Sequence, residues 1–157
     1  MATASRPKGY HAITPYLTVQ GTAKAIEFYR QAFAAELKRQ LPMPDGGIVH
    51  AEIKVADSHF MLCDGCQALP QQAPATLGGT SVSLLLYVDD VDSTFQRALA
   101  AGATEVSAVC EQFYGDRAGT LQDPFGHIWT IATHQHDYSE AELIARMADL
   151  MDSEQDA

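Results

Sequence analysis

The chain of 157 residues is 46% hydrophobic, which is enough for one compact domain or for two small halves that share a core. Acidic residues outnumber basic residues by 20 to 10, and the formal charge of -10 repels nucleic acid phosphates and anionic membranes. The longest apolar run, residues 82–88, is too short to span a bilayer, and the N-terminus lacks the apolar core of a signal peptide. We therefore expect a cytoplasmic protein that has neither nucleic acid nor membrane as a partner.

The three cysteines are an odd number, which does not suit a disulfide framework and is typical of a reducing compartment. Cys63 and Cys66 form a C-x-x-C pair, which can be a redox site or half of a zinc site. The sequence has no second C-x-x-C, and no strand-to-helix pattern follows this one. We therefore interpret the pair as a strand end that runs into a loop.

In the first half of the chain, residues 1–11 are polar and are predicted to be loose. Alternating apolar and polar residues predict a strand over 13–19, and apolar residues at helical spacing predict an amphipathic helix over 22–33. A turn-rich stretch at 43–47 precedes a strand over 48–55, and a short strand follows over 59–63. The strand 48–55 has an apolar face (Val49, Ala51, Ile53, Val55) and a polar face (His50, Glu52, Lys54).

Residues 67–79 contain two prolines, two glycines and no charged residue, so we predict a linker there without helix or strand. The order of elements then repeats as a strand over 82–88, a helix over 91–101, and strands over 104–109, 119–122 and 128–133. Asp90 is the predicted N-cap of this helix, and Gly102 ends it. Residues 123–126 supply the turn before the last strand.

The tail after residue 138 forms a separate feature. Ser139 and Glu142 make a capping box, and apolar residues recur at helical spacing, so we predict a terminal helix over 139–152. Its apolar stripe is expected to pack either on its own domain or on a second copy of the chain.

The two halves superpose with one offset of 69 residues. This offset places Leu17 on Leu86, Val19 on Val88, Ile26 on Phe95 and Glu36 on Glu105. One duplication of this size predicts two βαβββ modules rather than a solenoid. We place module one at about 10–66, a linker at 67–80 and module two at about 81–136, within one domain.

The paired modules, the helix phrase AIEFYRQAF, the strand phrase LYVDDVD and the closing DRAGTLQDPFGHIWTI resemble the vicinal-oxygen-chelate superfamily. This group includes glyoxalase I, extradiol dioxygenases, fosfomycin-resistance enzymes and bleomycin-binding proteins. The chain looks most like the PhnB-like subgroup, where YGDR followed by DPFGHxW recurs, here at 114–117 and 123–129. The resemblance covers about residues 10–134. It implies an α+β fold whose two modules form a curved, partly open mixed-sheet barrel, but it implies no single activity.

The resemblance also carries expectations for particular positions. The family often has glycine where the first helix ends, whereas this chain has Ala34, for which a positive φ is costlier. Metal-dependent members carry His, Gln or Glu ligands at positions that correspond here to Thr14, Met61, Ser83 and Thr130. Neutral hydroxyls and a thioether are poor ligands for a divalent ion, so we expect no metal at the usual site.

Alternation along the strands then predicts which side chains face the cleft between the modules. If Thr14 and Thr130 point inward, so do alternate residues of the same strands, and their neighbours Ile13, Leu17, Val19, Trp129 and Ile131 point toward the helices. Trp129 is therefore predicted to be a core residue. The expected cleft lining is Tyr16, His50, Glu52, Tyr87 and Thr130.

His50 and Glu52 lie two residues apart on one strand face and are the candidate catalytic residues. They can form an acid–base pair, half of an unconventional metal site, or a purely structural pair. Arg117 either pairs with Asp116 or grips an anionic group of a ligand. Phe113 and Tyr114 are candidates for an aromatic lip at the ligand site.

The sequence leaves two classes of function open. The first is a metal-independent small-molecule binder that needs no cofactor. The second is a metal-dependent lyase, dioxygenase or transferase that recruits its ion through His50, Glu52 or other nonstandard ligands. His127 is expected to tie down its hairpin, whereas His134 and His136 are spaced for adventitious metal binding. A homodimer is expected from the amphipathic tail and from the resemblance.

Overall fold

The computed structural model describes residues 4–65 and 70–155. The first half contains β1 (Tyr16–Val19), α1 (Thr22–Phe33), β2 (Glu36–Pro42), β3 (Ile48–Val55) and β4 (Ser58–Asp64). The second half contains α2 (Pro74–Leu77), β5 (Ser83–Tyr87), α3 (Val91–Ala100), β6 (Thr104–Glu111), β7 (Asp116–Gln122) and β8 (Ile128–His134). The terminal helix α4 (Glu140–Gln155) follows.

Each half forms one four-stranded mixed sheet, ordered β1-β4-β3-β2 in the first and β5-β8-β7-β6 in the second. Tyr16 lies opposite Met61 in the parallel pair β1–β4, and Leu85 lies opposite Thr130 in the parallel pair β5–β8. Both members of the first pair precede their counterparts by 69 residues, which confirms the repeat. The chain therefore has the predicted α+β fold of two βαβββ modules, and its two sheets do not close into a barrel.

The predicted helix ends are largely confirmed, with one addition. The Asp90 side chain caps α3 by accepting a hydrogen bond from Ser93 N at 2.9 Å. The residue before α1 is glycine and cannot cap with a side chain, so Asp64 at the end of β4 accepts from Gly21 N and Thr22 N, both at 2.8 Å. Ala34 ends α1 with a φ of 54°, the positive value that its position implied.

The two modules share one core, which lies on the helix-covered faces of both sheets. Helices α1 and α3 pack against each other there. Trp129 is only 4% exposed, and its ring lies 4.9 Å from that of Phe33 on α1 and 5.7 Å from that of Phe60 on β4. The prediction that Trp129 is a core residue is therefore confirmed.

A buried carboxylate joins the modules at this core. Asp123 is 4% exposed and accepts hydrogen bonds from Tyr29 Oη at 2.6 Å and Trp129 Nε1 at 3.0 Å. It also accepts from the backbone N–H groups of Phe125 at 2.9 Å and His127 at 3.0 Å within its own turn. Tyr29 belongs to α1 of the other module, and its burial raises its pKa well above the ordinary value. The turn of module two is thus fixed to the helix of module one.

His127 strengthens the same junction. Its Nε2 donates to the carbonyl oxygen of Thr18 on β1 at 3.0 Å. The residue was expected to tie down its own hairpin, but its side chain bonds to the other module instead.

Two predictions about strand ends are wrong. Strand β1 begins at Tyr16, not at residue 13, because Pro15 has no N–H to donate to a neighbouring strand. Ile13 precedes the strand and is 88% exposed, so it does not face a helix as predicted. Val49 is half-exposed, and Ile48 takes its place in the core. The pairing of β2 with β3 is irregular at this point, because Leu41 lies opposite His50 but Pro42 lies opposite Ile48. The unpaired Val49 interrupts the alternation of inward and outward side chains.

Two elements were not predicted. Every residue of β2 is exposed, so this edge strand has no apolar alternation by which the sequence reveals it. The segment expected to be without helix contains α2, which Pro74 starts and Gly78 ends in the left-handed region. Cys66 of the C-x-x-C pair and residues 67–69 lie outside the described residues. No helix among those described is long and apolar enough to cross a membrane.

We predict that Asp123→Ala lowers the free energy of unfolding by about 3–5 kcal/mol, because it leaves buried donors on both modules without an acceptor. Urea denaturation measures this change. Asp45→Ala is the control, since the Asp45 carboxylate accepts one backbone bond in an exposed turn, from Gly47 N at 3.0 Å, and we expect a loss below about 1 kcal/mol. Equal losses in the two variants would contradict the structural role of Asp123.

Candidate functional site

His50 and Glu52 lie on the face of β3 that points away from the helices. Their side chains are 18% and 14% exposed, and His50 Nε2 lies 3.3 Å from Glu52 Oε1. The two candidate residues therefore contact each other. A carboxylate can only accept this bond while ionised, so the imidazole Nε2 is the donor.

Two tyrosines bond to the ends of this pair. The Tyr16 hydroxyl on β1 lies 2.8 Å from His50 Nδ1, and the Tyr10 hydroxyl donates to Glu52 Oε2 at 2.5 Å. In a neutral imidazole that donates from Nε2, Nδ1 is an acceptor, so Tyr16 donates to His50. We call Tyr10, Tyr16, His50 and Glu52 the polar tetrad.

The tetrad holds a charge on Glu52. The hydrogen bond from Tyr10 lowers the pKa of Glu52, and bonds or attraction from His50 and Arg39 act in the same direction. Arg39 Nη1, on the neighbouring strand β2, lies 3.6 Å from Glu52 Oε1. Burial and the bond to Glu52 raise the pKa of Tyr10 to about 12. The tetrad therefore presents the Glu52 anion as an acceptor of hydrogen bonds from Tyr10 and His50.

Tyr10 belongs to the segment that the sequence predicted to be loose. Its ring stacks on the His59 ring at a centroid distance of 4.3 Å and an interplanar angle of 21°. His59 Nδ1 donates to the carbonyl oxygen of Gly9 at 2.9 Å. Sequence reasoning missed Tyr10 because it lies outside any periodic element, 42 residues from its partner Glu52.

A second polar cluster lies on the sheet of module two. Asp116 is 2% exposed and accepts from Tyr87 Oη at 2.9 Å and from His134 Nδ1 at 2.7 Å, while His134 Nε2 donates to Asp137 Oδ1 at 3.1 Å. These carboxylates raise the pKa of His134, with the bond to Asp116 as the largest cause. Gly115 makes room for this arrangement, since a Cβ there would lie 2.2 Å from the His136 carbonyl oxygen.

The remaining candidates join neither cluster. Arg117 does not pair with Asp116; its guanidinium binds Asp92 at the start of α3, at 2.8 and 2.7 Å, and Glu111 at 3.3 Å. It therefore braces β7 against the helix side of the sheet. Thr130 lies 3.2 Å from Thr120 through their hydroxyls.

Phe113 and Tyr114, the candidates for an aromatic lip, contact each other. They form an edge-to-face pair at 5.3 Å in the turn between β6 and β7, and the Phe113 carbonyl accepts from Arg146 Nε of α4 at 2.6 Å. The pair lies at the C-terminal helix. Of the cleft lining that the sequence predicted, the structure thus brings together Tyr16, His50 and Glu52 in one cluster and places Tyr87 in the other.

The positions of the superfamily's metal ligands do not fit a divalent ion. Thr14 precedes β1 and donates to the His11 carbonyl at 3.1 Å, and Ser83 begins β5 opposite Ile128. Met61 and Thr130 lie opposite Tyr16 and Leu85. These side chains offer hydroxyls, a thioether and a hydrocarbon, none of which competes well with water for such an ion. Among residues 4–65 and 70–155, no three His, Cys, Asp or Glu side chains are grouped to hold a metal.

A cavity of about 450 Å³ lies elsewhere, in the gap between the first strands of the modules. Its lining is mostly apolar and includes Pro15, Phe60, Leu85, Tyr87 and Trp129. It does not include His50 or Glu52. The lining also includes His11, Asp57 and His59. We regard the tetrad as the better candidate for chemistry, because its four titratable side chains are joined by hydrogen bonds in one chain.

Comparison with known proteins identifies the family. The model of the Glyoxalase/Bleomycin resistance protein/Dioxygenase superfamily matches residues 10–131. The uncharacterized protein Rv0887c of Mycobacterium tuberculosis is 41% identical over 140 residues, which cover 87% of this chain and 82% of the relative. The uncharacterized protein At5g48480 of Arabidopsis thaliana is 30% identical over 120 residues, which cover 72% of each chain.

Solved structures agree with this assignment. The X-ray structure of the Arabidopsis thaliana protein At5g48480 superposes with a TM-score of 0.63 and covers 78% of this chain and 98% of its own. A PhnB protein from Bacillus cereus, 21% identical, has a TM-score of 0.61 over 78% of this chain and 99% of its own, and so shares the fold. This chain therefore belongs to the glyoxalase/bleomycin resistance protein/dioxygenase superfamily, also called the vicinal-oxygen-chelate superfamily, and has PhnB-like structural neighbours.

Proposed function

We propose that this protein binds a small organic molecule on the polar face of the first sheet and needs no divalent metal to do so. The observation that carries the proposal is the polar tetrad, in which the mostly buried Glu52 carboxylate accepts hydrogen bonds from Tyr10 and His50 on the sheet face that points away from the helices. The poor donor set at the superfamily's metal positions supports the same conclusion. Bleomycin resistance, which the family's name includes, is an activity of this general kind.

The chemistry of the face indicates the kind of ligand. Tyr16 is 51% exposed, and Leu85 and Tyr87 on the other sheet are 50% and 55% exposed, so aromatic and apolar surface is available for contact. Glu52 accepts hydrogen bonds, and the Tyr16 hydroxyl, which donates to His50, can still accept one. A ligand with apolar surface and hydrogen-bond donors suits these groups, and the formal charge of -10 disfavours an anionic one.

A second candidate function is proton transfer. The order Tyr16–His50–Glu52 places an imidazole between a carboxylate that orients it and a hydroxyl, which is the arrangement of a general base. Metal-dependent chemistry through His50 and Glu52 has less support, because both side chains already bond to each other and to tyrosines.

We also propose that the protein is a homodimer. The apolar stripe of α4 is not covered by its own domain, since Ile144, Met147, Leu150 and Met151 are 44–65% exposed. Arg146 contacts the rest of the chain from the same helix, through Phe113 and over the Tyr138 ring. A second copy of the chain is the occupant that we propose for the stripe.

The binding proposal predicts hits from a panel of aromatic fragments that carry an amine or a hydroxyl, screened by ligand-observed NMR in EDTA. Because His50 and Tyr16 supply the contacts, His50→Ala and Tyr16→Ala should each weaken the hits about tenfold, the effect of one lost hydrogen bond with its contact surface. His136→Ala is the control and should leave them unchanged. Hits that require added metal, or that ignore His50→Ala, would refute the proposal.

The dimer proposal predicts a mass of about twice 17.0 kDa in sedimentation equilibrium at micromolar concentration. The double variant Met147→Lys with Met151→Lys should shift the protein toward monomer, because it places charges in the apolar stripe. Ala145→Lys, on the opposite face of α4, is the control and should keep the dimer. A wild-type mass near 17 kDa, the mass of one chain, would contradict the dimer proposal.

A further inference from the structure

We propose that the ligand of this site carries a phenolic ring, and that the subsite which receives the ring is the one that Tyr10 fills in this structure. This inference rests on the proposed function and specifies its ligand class. Tyr10 acts, in this view, as an internal ligand that a true ligand displaces.

The subsite consists of two groups at the separation that one phenol spans. His59 on β4 supplies a flat surface, parallel to the Tyr10 ring within 21° and 4.3 Å away. Glu52 on β3 supplies the acceptor, which receives the phenolic hydroxyl at 2.5 Å. Both residues point from the same sheet face, since their strands pair with Glu52 opposite Met61 and Lys54 opposite His59.

Tyr10 comes from outside the sheet. We call residues 4–14 the N-terminal strap; among its residues the structure assigns neither strand nor helix, and nearly all are exposed. The strap is held on the sheet through His59, which bonds the Gly9 carbonyl, and through Tyr10 itself. Its contacts can therefore be exchanged for those of a ligand without loss of a sheet or core residue.

The approach of the strap depends on Gly9. This residue has a φ of +86°, and a Cβ there would lie 3.2 Å from His59 Cε1. A side chain at this position would be strained and would crowd the imidazole. The local chain is thus shaped to lay the phenol of Tyr10 on His59.

The chemistry selects a phenol over related rings. One oxygen of Glu52 is engaged by His50, and the other accepts from Tyr10, so a single donor is required at the ring. A methyl ether has the ring but no donor, and a benzoate would meet the negative charge of Glu52. A neutral phenol can both stack its ring on His59 and donate its hydroxyl to Glu52.

Tyr10 competes with any added phenol because it is held near the subsite at a high effective concentration. The experiment therefore removes it and offers the same group in solution. Binding of p-cresol, which is the tyrosine side chain itself, is titrated by NMR in wild type and in Tyr10→Ala, with 4-methylanisole as the ring that lacks a donor. Circular dichroism checks that the variant is folded, and Tyr10→Phe, which keeps the stacked ring, serves as a second variant.

We expect Tyr10→Ala to bind p-cresol at least about tenfold more tightly than wild type, and to prefer it to 4-methylanisole about tenfold, as one hydrogen bond to a charged acceptor predicts. Tyr10→Phe should lie between wild type and Tyr10→Ala. Glu52→Gln in the Tyr10→Ala background should reduce the preference for the hydroxyl. Tyr138→Ala, which removes a partly buried tyrosine that lies beside His136 and outside the tetrad, should bind like wild type.

Equal binding of p-cresol by wild type and Tyr10→Ala, or equal binding of p-cresol and 4-methylanisole by Tyr10→Ala, would overturn the inference. That failure is distinguishable from failure of the proposed function. Fragments that bind through His50 and Tyr16 would still be found in EDTA if only the phenol subsite were wrong.

Discussion

The buried carboxylate of Asp123 is the constraint on which the arrangement of the modules depends. A charge at this depth is tolerated only when its oxygens are fully bonded, and here the donors come from its own turn, from Trp129 and from Tyr29 of the other module. The bonds fix α1 of module one against the last hairpin of module two. Each module thereby buries the helix face of its sheet in a common core.

Because the core uses only the helix-covered face of each sheet, the other face of each sheet can carry polar side chains. Apolar side chains such as Ile53 and Ile131 serve the core, and their neighbours along the strands carry polar groups. Module one uses that freedom for the tetrad around Glu52, and module two uses it for the cluster around Asp116. The two modules therefore bury their helix-covered faces in the same way but carry different polar clusters on their other faces.

Much of this account could be predicted from local pattern, and the rest could not. Periodicity gave α1 to the residue, the offset of 69 gave the second module, and alternation put Trp129 in the core and His50 beside Glu52. Periodicity does not predict β2, because all its residues are exposed. It also does not predict the contact of Tyr10 with Glu52, because Tyr10 lies in a segment without regular structure. Contacts between distant segments, such as Tyr10 with Glu52, are set by tertiary packing, and no local pattern in a single sequence predicts them.

The central claim is that the site acts through tyrosine, histidine and carboxylate groups instead of a bound divalent ion. The most direct test is elemental analysis by inductively coupled plasma mass spectrometry of protein produced without a histidine tag. The account predicts zinc, nickel, iron and manganese each far below one ion per chain, because the superfamily's metal positions offer no imidazole or carboxylate; they are Thr14, Met61, Ser83 and Thr130. One tightly held ion per chain, together with turnover of the hemithioacetal of methylglyoxal and glutathione, would contradict it.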